Sequence, residues 1–281
     1  MSAVGSTVAG GISDSDFASL RSIALRELGI EISGEKKSLL VSRLAKRLRH
    51  LGLDGFSEYT ELLNTGQSAE ELEEFVACVT TNVTRFFREP HHFDHLETQL
   101  IPDIEKRASR GEQVRLWSSA CSTGEEPYSA AMILARHLSD RALSNVKILA
   151  SDVNVKVLEA AQSAEYPKSE ADAARADLRG FFQPSPNDPG RVVLADKVRN
   201  LVTFRYMNLA KTWPVRGPFD AIFCRNVAIY FPQNVQEDLW VKFAKVLRKN
   251  GSMYIGHSER LAGPANTRFR FLGSTMYQLT N

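Results

Sequence analysis

Residues 115–129, RLWSSACSTGEEPYS, have types and spacing suited to cradling a ligand. An apolar stretch runs into Ala120, Cys121, Ser122, Thr123 and Gly124, and a helical pattern follows. Small residues let a backbone approach a ligand closely, and a helix N-terminus favours negative groups. Pro127 suits the first helical turn. The ordinary alternative is a tight strand–helix turn with no ligand. No G-x-x-x-x-G-K-S/T is present, which argues against a phosphate-gripping loop. Asp152 closes the apolar run ILASD. An acid at the end of a second strand can accept both hydroxyl hydrogens of a ribose, or it can cap the next helix. Position alone favours neither. CRNVAIYF, residues 224–231, leaves a third apolar run and sets Arg225, Asn226 and Tyr230 at its end. His91 and His95 stand four apart, with Glu89, His92 and Asp94 nearby. H-E-x-x-H is absent and Pro90 interrupts the helix start, so no metal is expected.

These groups need a frame. Residues 13–80 show helical periodicity: Phe17, Leu20, Ile23, Ala24 and Leu28 recur at spacings of three and four. Gly29 is an expected stop. Further helices are expected at 36–50, 57–64 and 69–78. Residues 1–12 read as a flexible tail, without the charged and apolar regions of a signal peptide. Residues 81–92 read as a linker too specific in composition to be passive. Beyond residue 93, strands at 114–117, 147–150 and 219–224 alternate with helices at 125–138, 155–161 and 235–247. That alternation predicts an α/β fold, a doubly wound, mostly parallel sheet. Strands at 252–256 and 276–279 are expected as an antiparallel edge pair. Residues 166–205 break the alternation; PSPNDPG at 184–190 and the apolar run 192–194 predict an inserted antiparallel β-subdomain.

Composition narrows the class. The chain has 281 residues, 43% hydrophobic and 24% charged, with a net charge of +2. These are values of a globular protein, and bulk charge names no partner. Three widely spaced cysteines make neither a disulfide framework nor a zinc pattern, which fits a cytoplasmic setting. No apolar run reaches the roughly 18–20 residues of a membrane span.

Five motifs in order, TTNVTRFFREPHHF, WSSACSTGEEPYS, ASDVNVKVLEAA, FDAIFCRNVAIYF and GHSERL, resemble the chemotaxis receptor methyltransferase family (CheR), over nearly the whole chain. The resemblance implies a class I S-adenosylmethionine-dependent methyltransferase sheet, a small helical N-terminal domain and a β-subdomain. It implies transfer of a methyl group to receptor glutamates, for sensory adaptation, with S-adenosylhomocysteine as second product and no metal. By this resemblance Asn82, Thr84 and Arg88 reach the cofactor from the linker. Glu126 holds its methionine end, with Glu125 as the alternative, Asp152 its ribose, and Asn208 and Leu209 flank its adenine. Arg225 and Asn226 complete the pocket, and Tyr230 sits near the methyl group. Arg88 is a candidate to hold the substrate carboxylate through its planar fork, or the cofactor carboxylate instead. The partner implied is the cytoplasmic helical region of the receptors, with the enzyme a monomer recruited to receptor arrays. Some members also tether to a receptor C-terminal peptide through the β-subdomain; 184–190 is either such a platform or a plain hairpin turn. Lys36, Arg43, Lys46, Arg47 and His50 share spacings of three, four and seven. They are expected to form one face that docks an acidic receptor helix, with Leu40, Leu44, Leu48 and Leu51 turned to the core.

Three rival classes weigh less. An oxidoreductase lacks G-x-G-x-x-G. A nucleic-acid methyltransferase lacks N/D-P-P-Y/F after 219–224. A non-catalytic sensing module has no reason to keep Arg88, Asp152, Arg225 and Tyr230 together. No nucleic acid and no membrane insertion are expected.

Overall fold

Ser13 begins the first regular element: its hydroxyl accepts from the Asp16 N–H at 3.0 Å, capping α1, Asp14–Leu28. Gly29 ends the helix at φ 71°, the left-handed conformation that glycine adopts at least cost. All five apolar residues of the expected stripe are buried. Helices α2 (Lys37–Leu51), α3 (Phe56–Asn64) and α4 (Ala69–Val79) follow. The computed structural model describes residues 11–66 and 68–280. Most of the expected tail therefore lies outside the described residues, although Ile12 is buried. The chain forms two units: Met1–Thr81 with Tyr230–Pro232, and Asn82–Ile229 with Gln233–Asn281.

In the first unit Leu40, Leu44 and Leu48 are buried, while Leu51 is partly so. The cationic face divides. Arg47 grips the buried Glu71 with Nε at 3.0 Å and Nη2 at 2.6 Å, and the Tyr59 hydroxyl donates to the same carboxylate at 2.8 Å. Arg43 donates to the carbonyls of Cys78 and Thr80 at 3.0 and 2.9 Å. Both arginines follow a buried leucine by three positions, so they border the packed seam and turn inward. Lys46, Arg49 and His50 remain exposed on the helix, as does Lys36 just before it.

The second unit holds the strands β1 (Val114–Ser118), β2 (Val146–Asp152), β3 (Glu165–Pro167), β4 (Phe182–Pro184), β5 (Arg191–Leu194), β6 (Val202–Tyr206), β7 (Phe219–Cys224), β8 (Leu247–Ile255), β9 (Phe269–Gly273) and β10 (Met276–Leu279). Seven make one sheet in the order β6-β2-β1-β7-β8-β10-β9. The five strands from β6 to β8 are parallel, and β10 pairs antiparallel to both β8 and β9. The helices of this unit are α5 (Pro90–His95), α6 (Ile101–Ala108), α7 (Glu125–His137), α8 (Asp140–Leu143), α9 (Val155–Ser163), α10 (Lys168–Ala173), α11 (Asp196–Arg199) and α12 (Gln233–Val246). All six residues of β7 are buried, as befits a central parallel strand covered on both faces.

Two strands depart from expectation. β6 lies inside the expected insertion yet belongs to the large sheet, and the small antiparallel sheet β3-β5-β4 ends at Leu194. β9, not the β8–β10 pair, forms the far edge. β6 and β9 are both edge strands with exposed positions carrying Arg205 and Arg270. Edge strands tolerate charge, so they show no continuous apolar run.

Candidate active site

The carboxyl ends of β1, β2, β6, β7 and β8 share one edge of the large sheet, and the strand order switches direction between β1 and β7. Ligands of open α/β sheets bind in the crevice at such a switch point. The turn after β1 is stitched across it: the Ser119 N–H donates to the Phe223 carbonyl and the Cys121 N–H to that of Ser151, both at 2.9 Å. Gly124 adopts φ 96°, and a Cβ there would stand 2.9 Å from Ala161 Cβ and from Tyr166 Oη. Only glycine satisfies both the conformation and the space. Ser122 Oγ donates to the Asn82 carbonyl at 2.9 Å, which ties the linker to the turn. Cys121 is buried, and burial pushes its thiol well up, so it is no nucleophile. The small sheet is joined here too. Tyr166 Oη donates to the Thr123 carbonyl at 2.7 Å, and the Phe86 ring meets Tyr166 and Phe182 edge-on at 4.9 and 5.1 Å.

Asp152 ends β2 with its carboxylate buried. It accepts the Ser122 N–H at 2.9 Å and the Asn154 N–H at 3.0 Å. Burial raises its pKa, against the pull of these N–H groups. The cap of α9 is Asn154, whose side chain accepts from the Lys156 N–H, so Asp152 is not the helix cap. Beside it, the Met207 N–H donates to the Asp152 carbonyl at 2.9 Å, which places Asn208 and the buried Leu209 next to β2. Asn208 Oδ1 accepts the Ala210 N–H at 2.9 Å.

Arg225 is the centre of an ion cluster, with its side chain only 2% exposed. Nη1 donates to Glu126 Oε2 at 2.8 Å; Nη2 lies 3.4 Å from Glu89 Oε2 and donates to the Arg88 carbonyl. Glu126 Oε1 accepts from Ser118 Oγ at 2.6 Å. Glu89 Oε1 lies 3.0 Å from His257 Nδ1 and accepts the His257 N–H at 3.3 Å. Burial pushes the Glu89 carboxyl up, but His257 and Arg225 outweigh that and hold it at about 2. The linker bends sharply here: Phe87 and Glu89 both have positive φ, 54° and 56°. Bulky residues hold such angles only where surrounding contacts impose them. Arg88 Nη1 donates to the Val83 carbonyl at 2.9 Å, while Thr84 is partly exposed. Arg225 Nε, Glu89 Oε2 and His92 Nδ1 are buried without a hydrogen-bond partner among the described residues. Glu89 Oε2 and His92 Nδ1 face each other at 3.6 Å, so Arg225 Nε is the polar atom of this cluster left over for a polar ligand.

The histidines do not gather as their spacing invites. His91 Nε2 faces the Ser274 carbonyl at 2.9 Å, and His95 Nδ1 faces Tyr254 Oη at 3.0 Å. Glu89, His91 and His92 each offer one ligand atom, and these lie within 4.8 Å of one another. Arg225, 3.4 Å from that carboxylate, opposes a cation there. Burial, then the charge of Arg225, holds His92 down at about 3, so it is neutral.

Tyr230 falls in the first unit: Glu31 N–H donates to its carbonyl at 2.8 Å, and Lys36 Nζ stands 4.6 Å from its ring centroid. The residue reading took Glu89 only as a neighbour of the histidines, and it gave no role to Ser118, His257 or Glu259, whose carboxylate accepts the N–H groups of Asn226, Val227 and Ala228. Glu259 carries its own signal, an acid in the closing GHSERL motif. Ser118 and Glu89 lie inside motifs already singled out.

Comparison with known proteins agrees with this geometry. The model described as "CheR methyltransferase, all-alpha domain" matches residues 15–80, and "CheR methyltransferase, SAM binding domain" matches 82–278. The chain is 41% identical over 256 residues to the probable chemotaxis protein methyltransferase of Rhizobium etli, covering 90% of this chain and 96% of that one. It is 39% identical over 273 residues to the chemotaxis protein methyltransferase of Escherichia coli K12, covering 96% and 92%. Chemotaxis protein methyltransferase 2 of Pseudomonas aeruginosa is 39% identical over 266 residues, covering 93% and 92%. Both family models and the relatives thus coincide with a class I sheet that follows a helical region in the chain, and the chain belongs to the CheR methyltransferase family, with a helical N-terminal domain followed in sequence by an S-adenosylmethionine-binding methyltransferase domain.

Proposed function

We propose that the protein methylates glutamate side chains of chemotaxis receptors, yielding glutamate methyl esters and S-adenosylhomocysteine for sensory adaptation. The observation that carries this reading is the likeness to chemotaxis protein methyltransferases along both of their domains. S-adenosylmethionine supplies, when bound, an electrophilic methyl on a sulfonium. Asn82, Thr84, Arg88, Glu126, Asp152, Asn208, Leu209, Arg225 and Asn226 are the residues assigned to hold it. Tyr230 is assigned to the methyl group by resemblance alone. A free glutamate titrates near 4.3 and is already ionised at neutral pH, so no side chain has to remove a proton. The work left to the chain is orientation and exclusion of water. No helix among the described residues is long and apolar enough to cross a membrane. A cytoplasmic enzyme recruited to receptor arrays is the corresponding setting. A receptor C-terminal peptide at the β-subdomain, near the β4–β5 turn, is a second contact by the same resemblance.

The test is incubation with methyl-labelled S-adenosylmethionine and receptor-containing membranes. Label should enter the receptor and leave as methanol in mild alkali, because carboxylate esters hydrolyse there and N-methyl groups do not. Alkali-stable label, or none, overturns the reading.

Asp152→Ala should weaken S-adenosylmethionine binding by about 1–3 kcal/mol. Asp152 also holds the N–H groups of Ser122 and the buried Asn154, so the variant must first be shown folded by circular dichroism. Calorimetry finding wild-type affinity in a folded variant would limit Asp152 to supporting the turn.

The docking face for the acidic receptor helix is now assigned to Lys46, Arg49 and His50, because Arg43 and Arg47 are engaged within their own unit. Lys46→Glu with Arg49→Glu should raise the receptor KM about tenfold, through exposed and salt-sensitive contacts. S-adenosylmethionine affinity should not change. Normal receptor methylation by this variant at low salt would remove α2 from the docking surface.

A further inference from the structure

We propose that Glu259 is a built-in anion that holds the loop after β7 in its cofactor-binding shape, a positioning residue for the methyl transfer. The inference rests on the function proposed above for its kinetic readout. It rests on the described geometry for everything else.

After Cys224 the chain turns sharply, and Asn226 takes φ 58°. Three successive N–H groups then converge on one carboxylate. Asn226 donates to Glu259 Oε2 at 3.0 Å, and Val227 and Ala228 donate to Oε1 at 2.9 and 2.7 Å. The Gly256 N–H, just past β8, donates to Oε2 at 2.5 Å. Consecutive N–H groups around a left-handed residue form a concavity that binds anions. Here the anion is the chain's own, with Glu259 only 3% exposed. Four N–H groups that the strand ladders leave over are thereby satisfied by one side chain.

The motif is built for this clasp. The Glu259 N–H donates back to the Gly256 carbonyl at 2.9 Å, which bends GHSE into a turn. A Cβ on Gly256 would stand 2.5 Å from Asn226 Nδ2 and 2.8 Å from Glu259 Oε2, so the two loops meet where only glycine leaves room. Arg260 Nη1 donates to the Glu259 carbonyl at 2.7 Å and closes the turn from behind.

What the clasp joins is the reason to assign it a catalytic consequence. The β7 loop supplies Arg225, which bonds Glu126, and Asn226 follows directly. The β8 loop supplies His257, which bonds Glu89, and Glu89 also faces Arg225. Glu259 therefore ties together the two segments that meet again at the ion cluster. Releasing the carboxylate frees Asn226 from its left-handed turn and lets Arg225 drift from Glu126. A purely structural acid would affect folding and leave each folded molecule fully competent.

Chemical rescue separates the two roles in the full-length protein. Glu259→Gln keeps the volume but turns an amide NH2 toward N–H donors. It should raise the S-adenosylmethionine dissociation constant about tenfold, measured by calorimetry on folded protein. It should also lower kcat on receptor membranes. Glu259→Ala opens the concavity, and formate should restore affinity and turnover in a saturable way where neutral formamide does not. Glu259→Asp keeps the charge on a shorter arm, retains folding, and should fall between wild type and Gln. Wild-type affinity and turnover in folded Glu259→Gln overturn the proposal. So does loss of activity that only tracks the unfolded fraction and ignores formate. Should Gln and Ala fail to fold, Asp at full wild-type affinity overturns it equally. Should the wild type bind S-adenosylmethionine but methylate no receptor, the functional reading falls while the affinity measurements still judge Glu259.

Discussion

Arg225→Leu should destabilise the methyltransferase unit by about 3–5 kcal/mol, because it strands two carboxylates around a buried position. Arg225 is almost wholly buried, and Glu126 and Glu89 both face it. All three tryptophans, Trp117, Trp213 and Trp240, lie in this unit, so their fluorescence in urea reports its unfolding separately. The effect should depend on pH. Native Glu89 is held at about 2, below its reference value of 4.5. A depressed carboxyl contributes stability that is complete above the unfolded value and is lost as pH falls through the folded one. The gap between wild type and Arg225→Leu should thus be widest above pH 4.5 and close as pH drops toward 2. Adding Glu126→Gln to the variant should recover part of the loss, since one buried charge no longer lacks a partner. A stability within about 1 kcal/mol of wild type at neutral pH would show that water, not Arg225, compensates these acids.

Arg88→Ala should lower methyl transfer about 10- to 100-fold, the equivalent of one charge-assisted hydrogen bond in the transition state. Stability should move little. Among the described residues the Arg88 side chain donates to the Val83 carbonyl, and the carbonyl that Arg225 uses belongs to the backbone and survives the substitution. Kinetics then choose between the two roles left open. A fall in kcat at saturating substrates assigns Arg88 to the receptor carboxylate, whereas a rise in the S-adenosylmethionine KM assigns it to the cofactor. Arg88→Lys should restore little, because an ammonium offers no planar fork. Turnover near wild type would reduce Arg88 to a support for the linker.

Much of the frame could be read before any coordinates. The stripe Phe17, Leu20, Ile23, Ala24 and Leu28 is buried as its spacing requires. The apolar run at 219–224 is β7, residue for residue. Small residues after β1 and an acid at the end of β2 marked two segments that the structure joins through the Ser122 N–H and the Asp152 carboxylate. These features are local: a helix face, a central strand and a tight turn each write their demands into a few neighbouring residues. β6 and β9 escaped notice because an edge strand makes weaker demands on its sequence.

The amino-acid order therefore dictated the elements, the motif series and through them the family. Folding settled how the charges are spent. Helical spacing put Arg43 and Arg47 on one face with Lys46, but the position of α4 turned the two arginines to Glu71 and to the carbonyls of Cys78 and Thr80. Arg225 meets Glu126 across 99 residues, and Glu259 meets the Val227 N–H across 32. Such pairings leave no periodic trace along the chain. A buried charge takes whichever partner the packed strands bring within about 3 Å, and that choice is made in space.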